Sequence, residues 1–110
     1  MADIIEKAWY QGTDGQAYVA SCYYSKDAWW SKPRGYYVSI EPVEVWRDGD
    51  FVCTKYHGAS GDGELHLAKE VARKSKKASD EAVAKMWVAV NEYFEARGKV
   101  ARKCSFEELL

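Results

Sequence analysis

Arg73, Lys74, Lys76 and Lys77 crowd four cations into five positions of RKSKK, and the acids Asp80 and Glu81 follow at once. Cations at this density hold the phosphates of a nucleic-acid backbone. They also do a plainer job, satisfying helix-end carbonyls in a solvated hinge between two helices. A second region, WWSKPRGYY at 29–37, interleaves Trp29, Trp30, Tyr36 and Tyr37 with Lys32 and Arg34. Aromatic faces stack bases and guanidinium groups, while neighbouring cations hold phosphates. The same residue types anchor protein interfaces. These two stretches hold the candidate binding residues, and protein partner against nucleic acid stays open at this level.

Other chemistries fit the chain less well. HGASGDGELHLAKE joins a strand to a predicted helix, the place where phosphate-binding loops sit. Asp62 and Glu64 put negative charge there and no Gly-Lys-Ser/Thr follows, so the acids read as caps and the glycines as a turn. Cys53, His57 and His66 lack the further Cys or His pair of a structural zinc site, so no metal is expected. Neither histidine sits in a nucleophile motif such as G-x-S-x-G. Glu41, Glu44, Asp48 and Asp50 flank a turn, where solvated acids belong. The expectation is a protein without catalysis and without cofactor.

The totals set the frame for these residues. A chain of 110 residues makes one domain, large enough to bury roughly two-thirds of its unfolded surface. Its hydrophobic share of 47% and charged share of 30% are ordinary globular values. Five Trp and eight Tyr are many, and their polar tips need partners in a core or a place on a contact surface. A net charge of −1 gives no global attraction to nucleic acid or membrane, so electrostatic binding must come from a local patch. Cys22, Cys53 and Cys104 share no short spacing and read as reduced thiols of a cytoplasmic protein. The first residues lack the apolar run of a signal peptide, and no stretch approaches the ~20 apolar residues of a membrane span.

The elements that must position the candidates follow from periodicity. IEKAWYQ and QAYVASCYY flank Asp14-Gly15, a hairpin signal. YYVSIEPVEVW alternates, with Tyr36, Val38 and Ile40 on one face, and slips by one position beyond Pro42, which predicts a bulge or an edge. Asp48-Gly49 turns the chain into FVCTKYH. Beyond it, ELHLAKEVARKS places Leu65, Ala68, Val71 and Ala72 at helical spacing. Ser79 with Asp80 and Glu81 predicts a second helix start, and Val83, Met86, Trp87, Val90 and Phe94 form its apolar stripe with Trp87 at the centre. Gly98 is its stop. The expected architecture is an α+β two-layer fold: about four antiparallel strands in two hairpins, followed by two helices packed on one face. Within one domain, 1–57 form the sheet, 64–97 the helices and 98–110 a tail.

Two resemblances sit on these residues. KPRGYYVSIEPVEV followed by RKSKKASDEA resembles small uncharacterised proteins of conjugative or integrative mobile elements of Firmicutes, which implies a mobile-element accessory protein and no mechanism. RKSKKASDEAVAKMW is similar to the last helix of a double-stranded-RNA-binding domain, which implies that Lys76 and Lys77 meet phosphates. That family has a helix before its strands, and this chain opens with a strand. Together these readings describe a non-enzymatic, cytoplasmic binding module that uses its aromatic-basic surface on a protein partner. A weak, sequence-tolerant nucleic-acid binder using 73–77 is the alternative. No membrane partner is expected, and a homodimer stays open.

Overall fold

A computed structural model of the chain describes residues 2–26, 33–59 and 61–110. Both Asp-Gly turns form hairpins. Asp14 Oδ1 accepts the Gln16 amide at 2.9 Å and Gly15 takes a φ of 88°, joining β1 (Ala2–Gly12) to β2 (Ala17–Ser25). Gly49, with φ 61°, turns β3 (Gly35–Asp48) into β4 (Phe51–Tyr56), and Asp48 pairs with Phe51. The long β3 shares its outer edge between two partners. Its residues 43–48 pair with β4, while 35–39 pair with β5 (Glu64–Lys69). On the far side, β6 (Ala101–Cys104) pairs with β1, giving six antiparallel strands in the order β4-β3-β2-β1-β6 with β5 beside β3.

One helix, α1 (Lys76–Ala96), covers one sheet face. Ser75 is its cap, with Oγ accepting the Ala78 amide at 3.1 Å. The apolar stripe buries Ala82, Met86, Val90 and Phe94 against Tyr10, Tyr18, Ala20, Cys22, Val38 and Ile40. Met86 and Val90 are fully buried at the centre of this contact, while Trp87 lies at its margin with the Lys103 ammonium 4.2 Å from the ring. Gly98, at φ 64°, ends the helix, and the Lys99 amide folds back onto the Phe94 carbonyl at 2.9 Å.

Among the described residues the expected four strands and two helices are therefore corrected to six strands and one α-helix. Residues 64–69 have helical spacing, yet the first half of β3 is buried and its outer backbone groups need partners. Pairing with them outweighs local propensity. A bulge between Tyr36 and Tyr37 then lets Leu65, Leu67 and Ala68 all reach the core side. The tail is a strand for the same reason, since it closes the outer edge of β1, and Phe106 packs on Trp9 with ring centroids 4.7 Å apart.

Pro42 is not a bulge. The β2–β3 register runs through Tyr18↔Pro42 without a shift, and the Pro42 carbonyl accepts the His57 amide one residue past the end of β4. The missing N–H thus falls where the ladder stops. The parity change beyond it is a change of buried face: Tyr36, Val38 and Ile40 point to α1, whereas Val43 is buried on the opposite side.

Candidate functional site

Tyr36 fastens the start of α1 to the sheet. Its side chain is fully buried, and its Oη accepts the Ser75 amide at 3.3 Å and shares a 2.9 Å hydrogen bond with Ser79 Oγ. Tyr24 packs on it with centroids 5.1 Å apart and donates its hydroxyl to the Val71 carbonyl at 2.7 Å. The Val71 amide donates to the Arg34 carbonyl at 3.3 Å. These bonds pin residues 71–79 over one end of the sheet. Tyr36→Phe keeps the ring but strands the Ser79 hydroxyl and the Ser75 amide, so a loss of about 1–3 kcal/mol is expected in urea denaturation. An unchanged midpoint would mean that the hydroxyl holds nothing.

The pinned segment decides where the cations gather. Ser25 pairs with Gly35, and Gly35 with Lys69, so Lys26, Arg34 and Lys69 lie at neighbouring strand ends. Arg73, Lys74, Lys76 and Lys77 follow immediately, and all of these cations are exposed. Asp3 contacts Lys74 at 3.3 Å and Asp80 contacts Lys76 at 3.0 Å. Such solvent-exposed pairs are weak and leave the cations available to other anions. Among the described residues, Glu70 and Glu81 are the other acids next to these cations in the chain. Arg73 and Lys77 have no carboxylate at salt-bridge distance among the described residues.

Lys76 and Lys77 stand in the first turn of α1, which carries no acid. That is the positive end of the helix dipole, where a cation costs about 0.3–1 kcal/mol and an acid would stabilise.

The aromatic members of the sequence-predicted surface have other roles. Tyr36 is the strut just described. Tyr37 is also buried, on the face away from α1, stacked on Tyr23 with centroids 5.6 Å apart. Its hydroxyl donates to the Pro33 carbonyl and lies 3.0 Å from His66 Nε2. Of that surface only Arg34 joins the basic pole among the described residues. Trp29, Trp30 and Lys32 lie outside them. Lys69, four residues before Arg73, adjoins RKSKK in the sequence itself, whereas Lys26 reaches it only through strand register.

The face away from α1 carries a groove of about 370 Å³ lined by Ile4, Lys7, Ser21, Tyr23, Ser39, Glu41 and Tyr56. Lys7 Nζ lies 5.8 Å from the Trp9 ring centre and 5.7 Å from that of Tyr56. Lys7 stands opposite Ser21 across the β1–β2 pair. Tyr23 donates to Glu64 Oε1 at 2.5 Å, which ties β2 to β5 across the central strand.

All three cysteines are free thiols. Burial, with a smaller contribution from Glu6, pushes the Cys22 thiol up to about 11. Burial raises Cys104 as well, helped by Glu108 and opposed by Arg102. Alkylation of the native protein near pH ~8 should therefore label Cys53 first and leave Cys22 unmodified. Rapid labelling of Cys22, read by mass spectrometry of the digest, would mean that the sheet opens beneath α1.

No protein-family model, curated protein or solved structure matches the chain. Among the described residues no helix is long and apolar enough to cross a membrane.

Proposed function

We propose that this chain is a non-enzymatic binding module whose basic pole takes the phosphate backbone of a nucleic acid with little sequence preference. One observation carries the proposal: three strand ends and the pinned 71–77 segment bring Lys26, Arg34 and Lys69 beside Arg73, Lys74, Lys76 and Lys77. Seven of the 16 lysines and arginines belong to this pole, and a local patch of that kind attracts a polyanion where a net charge of −1 does not. The resemblance to the last helix of a double-stranded-RNA-binding domain falls on the same Lys76 and Lys77. An accessory role on a mobile element fits a sequence-tolerant binder. A protein partner held by the aromatic-basic surface is the weaker proposal, since Tyr36 and Tyr37 are buried and offer no exposed ring.

Fluorescence anisotropy with labelled single- and double-stranded oligonucleotides tests this. Four neutralised phosphates give a log–log salt slope of roughly −3, hence a roughly 60-fold loss of affinity between about 50 and 200 mM salt. Affinity at the low-salt end should be micromolar, because the rest of the molecule repels the polyanion. Binding that is undetectable at low salt, or insensitive to salt, would leave 71–77 as a solvated connection to α1.

A further inference from the structure

The two edges of the sheet differ. β6 is four residues long with Arg102 and Lys103 exposed, a short charged edge that discourages pairing. β4 is six residues, FVCTKY, and no described strand pairs with its outer edge. It has no proline, and its single charge, Lys55, faces Glu44 across the hairpin. Around it Phe51 is 74% exposed, Tyr56 48%, Trp46 45% and Val52 44%. An open, largely apolar edge of this kind is a template for another strand.

We infer that the outer edge of β4 pairs with β4 of a second copy of this chain, antiparallel, about a two-fold axis at Thr54. The backbone sets that register. The His57 amide donates to the Pro42 carbonyl at 3.1 Å, so residue 57 turns its polar groups towards β3. Phe51, Cys53 and Lys55 share that parity, which leaves Val52, Thr54 and Tyr56 with N–H and C=O facing outward. Centring the pair on Thr54 sets it against Thr54 of the second copy and matches Val52 with Tyr56 in both directions. All three outward-facing residues are then used, for about six main-chain hydrogen bonds. A centre on Cys53 pairs Val52 with Thr54 and leaves Tyr56 beyond the strand.

Side chains agree with the same register. Val52 meets an aromatic ring on one face, Lys55 meets Cys53 on the other, and no like charges stand directly opposite. This self-complementarity is what favours a second copy over an unrelated strand. The contact is isologous, so it closes as a dimer and does not propagate. A single strand pair is a small interface, so the dimer should be weak, roughly micromolar. It goes beyond the basic pole, which β4 does not contribute to.

Sedimentation velocity of the full chain over a concentration series, with reductant present, tests the inference. The wild type should pass from monomer to dimer with rising concentration. Thr54→Pro, which removes an outward N–H, should stay monomeric at every concentration with an unchanged circular-dichroism spectrum. Thr54→Lys and Thr54→Glu each place like charges on the axis and should each be monomeric, whereas mixing the two should restore the dimer. That exchange requires Thr54 to face itself and does not depend on the proline variant folding. A wild type that stays monomeric to about millimolar concentration would overturn the inference. So would a dimer that survives both Thr54→Pro and Thr54→Lys, or a mixture that stays monomeric.

Discussion

Gly35→Ala is expected to lower the unfolding free energy by about 3 kcal/mol or more, the largest effect of alanine at any glycine whose surroundings are described. A Cβ there would lie 2.1 Å from the Ala68 carbonyl oxygen and 3.2 Å from its carbon, both main-chain atoms of β5. Backbone cannot swing aside as a flexible side chain can, so β3 and β5 must separate. The φ of 153° adds strain, since L side chains rarely adopt it. In a domain with roughly 5–15 kcal/mol in total, a loss of this size lowers the melting temperature by on the order of 10 °C. Gly49→Ala is the control: it has a φ of 61° but nothing within 4 Å of the new Cβ, so about 1 kcal/mol is expected. Equal losses in urea denaturation would mean that β3 and β5 are not in close contact at Gly35.

The same substitution reaches the basic pole, because Gly35 is the residue through which the pole is assembled. It pairs with Ser25 on one side and Lys69 on the other, and its neighbour Arg34 receives the Val71 amide. Separating β5 there frees Lys69 and slackens 71–77 together. Nucleic-acid affinity should fall with the stability of Gly35→Ala and stay intact in Gly49→Ala.

What the sequence shows of this fold is its local chemistry. Asp14-Gly15 and Asp48-Gly49 specify their turns through glycine φ values and, at Asp14, a side-chain hydrogen bond, all within four residues. The stripe of Met86, Val90 and Phe94 announces α1, and Gly98 ends it. Long-range demand is harder to read. Residues 64–69 have a helical pattern and become a strand because β3 lacks a partner, and 101–104 become a strand because β1 does. Ser79 looks like a cap, yet it is buried against Tyr36, while Ser75 caps the helix four residues earlier. The candidate site divides the same way. RKSKK is visible as a run of cations with Lys69 four residues before it, whereas Lys26 joins it only through strand register. Tyr36 and Tyr37 look like contact aromatics and serve as internal struts, because the first half of the central strand, paired along both edges, is buried.

Replacing Lys76 and Lys77 together with alanine should separate binding from stability, moving them in opposite directions. Both lysines occupy the first turn of α1, where no acid balances the helix dipole. Removing each cation there gains about 0.3–1 kcal/mol. The i,i+4 contact of Lys76 with Asp80 is lost, but it is solvent-exposed and contributes only about 0.3–0.5 kcal/mol. The melting temperature should therefore stay level or rise slightly. If these lysines hold two phosphates, the salt slope should fall in magnitude by about two units and affinity near 0.1 M salt should drop roughly 60-fold. A solvated hinge predicts the same stability with no change in binding of any kind. A structural role for the lysines predicts that stability and binding fall together. Only direct phosphate contact combines an unchanged or higher melting temperature with a shallower salt slope. A double variant that keeps the wild-type slope would remove Lys76 and Lys77 from the contact surface and leave any binding to Lys26, Arg34, Lys69, Arg73 and Lys74.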